Sequence, residues 1–295
     1  MVTSRSRGDV LFDLFTYGFL SALLLAVLYP LYFVVISSIS NPDFVNQGNV
    51  TLYPRGVTFE GYRRIFADAQ VWLGYRNSLL YTVLGTILNV ILTLTAGYAL
   101  SRSDLVGRNG FMLLIVFTMF FSGGLIPTYL LVKGLGLVNT VWAMILPNAV
   151  SAYNVIITRT FFQTSIPGEL LEAAKMDGCS NTRFFLGIVL PLAMPIVAVM
   201  ILFSAVGHWN AYFQALIYLK DEGLQPLQIV LRKILIHNEA SEAMMDDIVN
   251  QAELVKMAET MKYGMIIVSS LPVLVLYPFL QKYFMKGVLI GSLKG

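Results

Sequence analysis

Charge is what this chain has least of. Charged residues make up 13% of its 295 positions, about half of the roughly 25% usual in soluble domains. So few charges cannot clothe a water-facing surface. With 57% hydrophobic residues and a mean hydropathy of +0.71, the chain belongs in a bilayer. Cysteine occurs once, at Cys179, which excludes an intrachain disulfide. Histidine occurs only at His208 and His237, so no Cys/His set with metal-ligand spacing exists. The net charge of +3 is small, and no basic run of the kind that tracks phosphates is present, which argues against a nucleic-acid partner. The pattern G-x-x-x-x-G-K-[ST] is also absent. This polypeptide therefore carries no phosphate-binding loop of its own.

What the chain has in abundance is apolar sequence. A membrane helix needs about 20 mostly apolar residues to cross a hydrocarbon core roughly 30 Å thick. Six segments qualify, at about 11–36, 78–100, 111–132, 138–158, 187–207 and 263–284, so the reading is an all-α integral membrane protein with six transmembrane helices. Pro30, Pro127, Pro147, Pro191, Pro195, Pro272 and Pro278 lie inside or at the ends of these runs; membrane helices tolerate proline where neighbours re-satisfy the freed backbone. The first run exceeds the apolar core of a signal peptide, about 7–15 residues. It is read as an uncleaved span, with Ser37, Ser38 and Ser40 leaving a cleavable signal as the alternative. Lys and Arg divide evenly between the two sides, but Arg102 and Arg108 share a turn of about ten residues, whereas most of the opposing charges sit in loops of about 40 and 55. Short loops carry the orientation signal, so both termini are expected in the cytoplasm.

The outer loops hold some structure of their own. Asn41-Pro42, Gly48-Asn49 and Pro54 mark turns in residues 37–77. Residues 226–237 and 240–262 read as two amphipathic helices, the first with Leu227, Val230, Leu231 and Ile234 on one face. They are either surface helices packed on the bundle or a platform for an outside partner.

Between the fourth and fifth spans lies a stretch out of character with its surroundings, carrying Glu169, Glu172, Lys175, Asp177 and Arg183. Pro167 suits the first turn of a helix and Glu169 its positive end. Gly178 suits a left-handed stop, and Ser180 can cap the helix that follows. The result is a polar helix of about ten residues, roughly 15 Å long. Leu170, Ala173, Ala174 and Asp177 are expected on one face, where two alanines let another surface approach closely. From composition alone it is either a connector resting on its own bundle or a docking element.

Here the residues resemble a known family. In "EAAKMDGCSNTRFFLGIVLP", Glu172, Ala173, Ala174, Gly178, Ile188, Leu190 and Pro191 occupy the positions of the EAA loop of binding-protein-dependent ABC importer permeases. "FFSGGLIPTYLLVKGLGLVNT", "HWNAYF" and "YPFLQKYFMKGVLIGSLKG" resemble the oligosaccharide permeases of the maltose-type class, in particular its LplC/YtcP branch. The patches cover most of residues 75–295. The resemblance implies a type I ABC importer permease fold, with the polar helix as a cytoplasmic coupling helix seated in a cleft of the ATPase subunit. It implies an N-terminal region 1–72 with the first span, a permease core 73–284 containing the EAA loop 165–191, and a cytoplasmic tail 285–295. Docking would fall to Glu172, Ala173, Ala174, Asp177, Gly178, Ile188, Leu190 and Pro191. The C-terminal "GSLKG", with Gly291, Lys294 and Gly295, is similar to a tail that reaches the ATPase dimer interface in the maltose-type class.

The implied partners are a second permease, a dimeric cytoplasmic ATPase that binds the ATP and magnesium, an extracellular solute-binding protein, an oligosaccharide and membrane lipid. No cofactor, metal or catalytic residue is expected in this chain, and its place would be a bacterial cytoplasmic membrane. The alternative is an ion-coupled secondary sugar carrier. Against it, no Asp, Glu or His falls inside spans two to six, where such carriers commonly place ionisable groups. Sugars are bound by aromatic faces and by amide or hydroxyl groups, and the available pool is Asn89, Tyr98, Tyr129, Asn148, Tyr153, Asn154, Trp209, Asn210 and Tyr212. Asn89, Asn148 and Asn154 read equally as interhelical hydrogen-bonders, and Tyr81, Trp142 and Tyr283 as interface anchors. Cys179 is expected as a small filler, and both histidines as structural residues.

Overall fold

The long apolar runs become long helices. In the computed structural model, which describes residues 7–234, 259–279 and 281, α1 covers Arg7–Ser38, α4 covers Ala69–Ser101 and α14 covers Glu259–Phe279. Between them lie α2 Pro42–Asn46, α3 Glu60–Ala67, α5 Arg108–Phe120, α6 Leu125–Gly134, α7 Trp142–Ile145, α8 Ala152–Ser165, α9 Gly168–Met176, α10 Asn181–Leu192 and α11 Met194–Trp209, α12 Tyr212–Tyr218 and α13 at 227–234. No strand occurs among the described residues.

Three of the expected spans differ from the sequence reading. Residues 111–132 do not form one helix: α5 and α6 meet at 115°. The Ser122-Gly123-Gly124 break sets Gly124 at φ +83°, a conformation glycine adopts without steric cost. Residues 138–158 are interrupted between α7 and α8. Pro147 has no N–H to continue a helix and disfavours it at the preceding residue, and the chain re-enters helix only at Ser151, whose Oγ accepts from Asn154 N–H at 3.5 Å. In the fifth, α10 and α11 are bent by 83° around Ala193. Pro191 and Pro195 each remove a helical donor there, and residues Phe185–Val189 widen into a π turn, a known response of a helix to an inserted irregularity. Among the described residues, three helices are long and apolar enough to cross a membrane, or up to five if each bent pair counts as one span. The helix expected at 226–237 is present as far as residue 234; most of the 240–262 helix and the tail residues Gly291, Lys294 and Gly295 lie outside the described residues.

The chain divides into two compact units. One comprises residues 1–68 with 231–270. In it the Asn41-Pro42 turn starts α2, Asn41 accepting from Asp43 N–H at 2.9 Å. Ile36, Val45 and Val50 form a small core against Phe33 and Tyr263.

The other comprises residues 69–230 with 271–295 and is organised on α4. Helices α11 and α8 pack along it at glycines: Gly85 faces His208, and Gly97 faces Thr158. Small residues let membrane helices approach to backbone distance, where packing supplies the association that lipid does not. Tyr81, expected as an interface anchor, is instead 1% exposed, and its hydroxyl donates to Leu224 O at 2.6 Å. Asn77 Nδ2 donates to the carbonyls of Gly223 (2.8 Å) and Gln225 (3.1 Å), and Ser78 Oγ accepts from Leu227 N–H at 2.9 Å. The N-terminal half of α4 thus supplies the side chains that hold the 223–227 loop, whose backbone would otherwise be buried without partners.

Candidate functional site

The polar helix α9 begins one residue later than its sequence suggests. Pro167 stands at the cap in extended conformation, and helix starts at Gly168. Its end closes in a Schellman arrangement: Gly178, at φ +67°, donates to Lys175 O at 3.1 Å, and Cys179 N–H donates to Ala174 O at 2.9 Å, which satisfies carbonyls a helix end leaves open. Ser180 Oγ then accepts from Arg183 N–H at 3.4 Å and opens α10.

The alanine pair does not share a face. Consecutive helical residues point about 100° apart, and the structure buries Ala174 while leaving Ala173 exposed. Ala174 belongs to a core with Phe162, Phe184, Val189 and Ala193, against which Leu170, Leu171, Cys179, Ile188 and Leu190 pack. One side of α9 is therefore seated on the chain's own bundle. The other presents Glu169, Glu172, Ala173, Met176 and Asp177 to the outside.

A residue that the sequence reading passed over ties this helix to α4. Asp104, in the turn after α4, accepts from Arg102 Nε at 2.8 Å and Nη2 at 2.5 Å, and its Oδ2 lies 3.4 Å from Lys175 Nζ of α9. Arg102 also donates to Tyr98 Oη at 3.0 Å. The Arg102 guanidinium first, and Lys175 second, hold the Asp104 carboxyl well below the usual carboxylate range. In the sequence the signal is an Asp between two Arg in a turn of about ten residues, a pattern that by itself marks only orientation.

The sugar candidates separate into several places. Asn89 and Asn148 are brought together. With the Asn89 nitrogen donating to the carbonyls of Asn148 (3.2 Å) and Ala149 (2.7 Å), its oxygen faces His208 Nε2 at 3.3 Å. Asn89 is in this way the link that ties the Pro147 break to α4 and α11. Trp209 is 3% exposed and meets Tyr75 edge to face at 5.5 Å, so it offers no open ring in this conformation. Tyr129 stacks on Tyr218 at 6.2 Å. Asn210 accepts from Gln228 at 3.4 Å. Tyr153 and Tyr212 are exposed, and Asn154 is half-buried. A groove of about 570 Å³ runs beside Thr82, Thr86, Ile201 and Pro272, but its walls are almost wholly apolar and suit a lipid-facing surface better than a sugar.

At the far end of α4, Asn139 takes φ +61° and accepts from the N–H groups of Lys220 (3.0 Å) and Asp221 (2.8 Å). It locks the 135–141 turn to the 219–224 loop. The loop is held at Asn77 and Tyr81, whereas the Asp104–Lys175 pair lies beyond Ser101 at the other end of α4. The helical stretch from Tyr81 to Ser101 spans roughly 30 Å at about 1.5 Å per residue. One end carries the polar helix and the other a hydrogen-bonded loop cluster, with the apolar body between them.

The model of the family described as "Binding-protein-dependent transport system inner membrane component" matches residues 71–290. The chain belongs to that family. It is 42% identical over 285 residues to the polygalacturonan/rhamnogalacturonan transport system permease protein YtcP of Bacillus subtilis (strain 168), covering 97% of this chain and 99% of the relative. It is 39% identical over 291 residues to protein LplC of the same organism, covering 99% and 97%. Among solved structures, a chain of a bacterial ABC transporter involved in the import of the acidic polysaccharide alginate superposes with a TM-score of 0.86 at 34% identity, covering 96% of this chain and all of that one.

As an inner membrane component of this family, the protein is a multi-pass transport subunit with the type I ABC permease fold, and it is not an enzyme. The ion-coupled alternative finds no support among these relatives. The matched region begins inside α4 and takes in α9, so the helix that organises the larger unit and the polar helix both belong to the shared part.

Proposed function

We propose that this permease forms half of the translocation pathway of an ATP-driven oligosaccharide importer, with α9 as its coupling helix. Both termini are cytoplasmic in this reading. A dimeric ATPase receives α9 in its cleft, a second permease completes the pathway, and an extracellular solute-binding protein delivers the sugar. ATP binds and is hydrolysed, with magnesium, in the ATPase. Closure of the ATPase dimer draws the coupling helices together, and the bundle opens outward. Glu172, Ala173, Asp177 and Gly178 face or shape the docking contact, Ala174, Ile188 and Leu190 seat it, and Pro191 bends the support behind it.

The observation that carries the reading is the two-faced character of α9. Nine residues are too few for a stable helix in water by themselves, yet α9 is seated through Ala174, closed at its C-terminal end by Gly178 and Cys179, and turned so that Glu169, Glu172 and Asp177 stay exposed. Such a helix is pre-organised for a partner, which lowers the ordering cost of binding. The tail residues Gly291, Lys294 and Gly295 are assigned a second contact with the ATPase. Tyr129, Tyr153, Asn154, Asn210 and Tyr212 are assigned to the sugar path, with Asn89, Asn148 and Trp209 framing it. Uronic-acid chains are the first substrates to assay, because one relative is named for polygalacturonan and the solved neighbour for alginate.

Proteoliposomes holding both permeases, the ATPase and the binding protein should take up oligogalacturonide only when ATP is supplied. Uptake driven by an ion gradient without the ATPase would refute the proposal.

A further inference from the structure

The two most exposed large hydrophobic side chains among the described residues are Val106, at 91%, and Met176, at 89%. Neither lies in an apolar helix. Val106 stands in the turn "SRSDLVGR" between α4 and α5, and Met176 ends α9. The polar neighbours Arg102, Ser103, Asp104 and Arg108 keep that turn out of the hydrocarbon, so lipid tails do not account for Val106. Gly107, at φ +78°, reverses the chain sharply enough that Val106 projects while Leu105 is half-buried.

The two residues flank one ion-pair network. Val106 is two residues from Asp104, and Met176 is next to Lys175, whose Nζ reaches Asp104 Oδ2. Arg102 grips the same carboxylate with two donors, and Arg108 donates to Arg102 O at 3.2 Å, so the turn is braced from both of its ends. Exposed ion pairs contribute little stability. What this one does is link the turn to α9, whose terminal Met176 follows Lys175 directly.

We propose that the 102–107 turn is a second element of the ATPase-docking face, inserting Val106 into the ATPase beside α9, with Asp104 as the positioning residue that holds the two elements in register. The proposal rests on α9 being the coupling helix and extends that interface across the Asp104–Lys175 bridge. The occupant is the ATPase because the turn is joined to α9 through the Asp104–Lys175 bridge and lies at the opposite end of α4 from the 219–224 loop.

The test is photo-crosslinking in the assembled importer in its membrane, with p-benzoylphenylalanine placed singly at Val106, at Met176, and at the exposed Leu135 of the other end as a control. Adducts with the ATPase, identified by mass spectrometry, are expected from Val106 and Met176 and not from Leu135. An adduct from Met176 but none from Val106, or only lipid adducts from Val106, would overturn the inference and leave the coupling helix standing. No ATPase adduct from either position would overturn both. Asp104→Asn should reduce the Val106 adduct while the Met176 adduct persists; an unchanged Val106 adduct would remove Asp104 from the positioning role.

Discussion

His208 rests on the bare backbone of Gly85: a Cβ added at position 85 would stand 2.5 Å from the ring's Cε1, and Asn89, one turn along α4, faces the same ring at 3.3 Å. The crossing of α4 and α11 therefore depends on the absence of a side chain at one position and the planarity of the ring at the other.

Gly85→Ala should destabilise the protein by about 1–3 kcal/mol, the range for overpacking a close-fitting interior. Pairing it with His208→Ala should recover much of that loss, because the second change removes the clash the first creates. Thermal unfolding of the four variants in detergent measures the coupling. Additive losses would show that the two residues do not share the contact.

Gly178 makes a different demand. Nothing lies within 4 Å of a Cβ placed there, so a substitution meets no neighbour and the cost comes from the left-handed backbone alone, about 1 kcal/mol for an ordinary residue. Asparagine tolerates that conformation and β-branched residues resist it. Sugar-stimulated ATPase activity in proteoliposomes should fall in the order glycine, asparagine, alanine, valine at position 178. Equal activity across the series would mean that the cap does not aim the coupling helix.

These two glycines show what the sequence makes legible. Gly178 follows a short polar helix and precedes a capping serine, a local pattern that can be read in order along the chain. Gly85 stands among apolar residues and looks like any other small residue of a span; its role depends on His208, 123 positions away. The same contrast runs through the fold. α1 and α4 are legible as long apolar runs, but the bends at Gly124 and Ala193 and the break at Pro147 are not, because proline and glycine inside a membrane run are compatible with both a straight and a broken helix. The EAA pattern marks α9 without revealing that Ala174 is turned inward, since that depends on the core beneath it. Asp104 was hidden for the simplest reason: its partner Lys175 lies 71 positions further on.

The Asp104 network also has a pH signature. Its carboxyl is held below the ordinary value by Arg102, so it binds protons less readily folded than unfolded. The stabilisation is complete above the unfolded value, about 3.9, and is lost as pH falls through the lower folded value. With Asp104 half-exposed, the contribution is discounted to under about 1 kcal/mol. The melting-temperature difference between the wild type and Asp104→Asn should be small, constant from neutral pH down to about pH 5, and shrink only in strong acid. A difference that changes between pH 6 and 8 would require another titrating group.

Glu172 supplies the sharpest test of the docking assignment. It is exposed on the side of α9 turned away from Ala174, and a carboxylate there has its greatest effect where a basic group in the ATPase cleft meets it. Removing one member of a desolvated, hydrogen-bonded charge pair costs about 2–5 kcal/mol, largely through the charge left without a partner. At 1.4 kcal/mol per decade, the low end of that range weakens association about thirtyfold. Glu172→Lys should therefore release the ATPase during purification, while the second permease, held through membrane contacts, remains. Glu169 lies in the first turn, where an exposed carboxylate gains about 0.3–1 kcal/mol from the helix dipole, so Glu169→Lys should shift the ratio much less. The quantity to measure is the ratio of ATPase to permease recovered with each variant. If Glu172→Lys retains the ATPase as fully as the wild type, the docking role assigned to Glu172 is wrong.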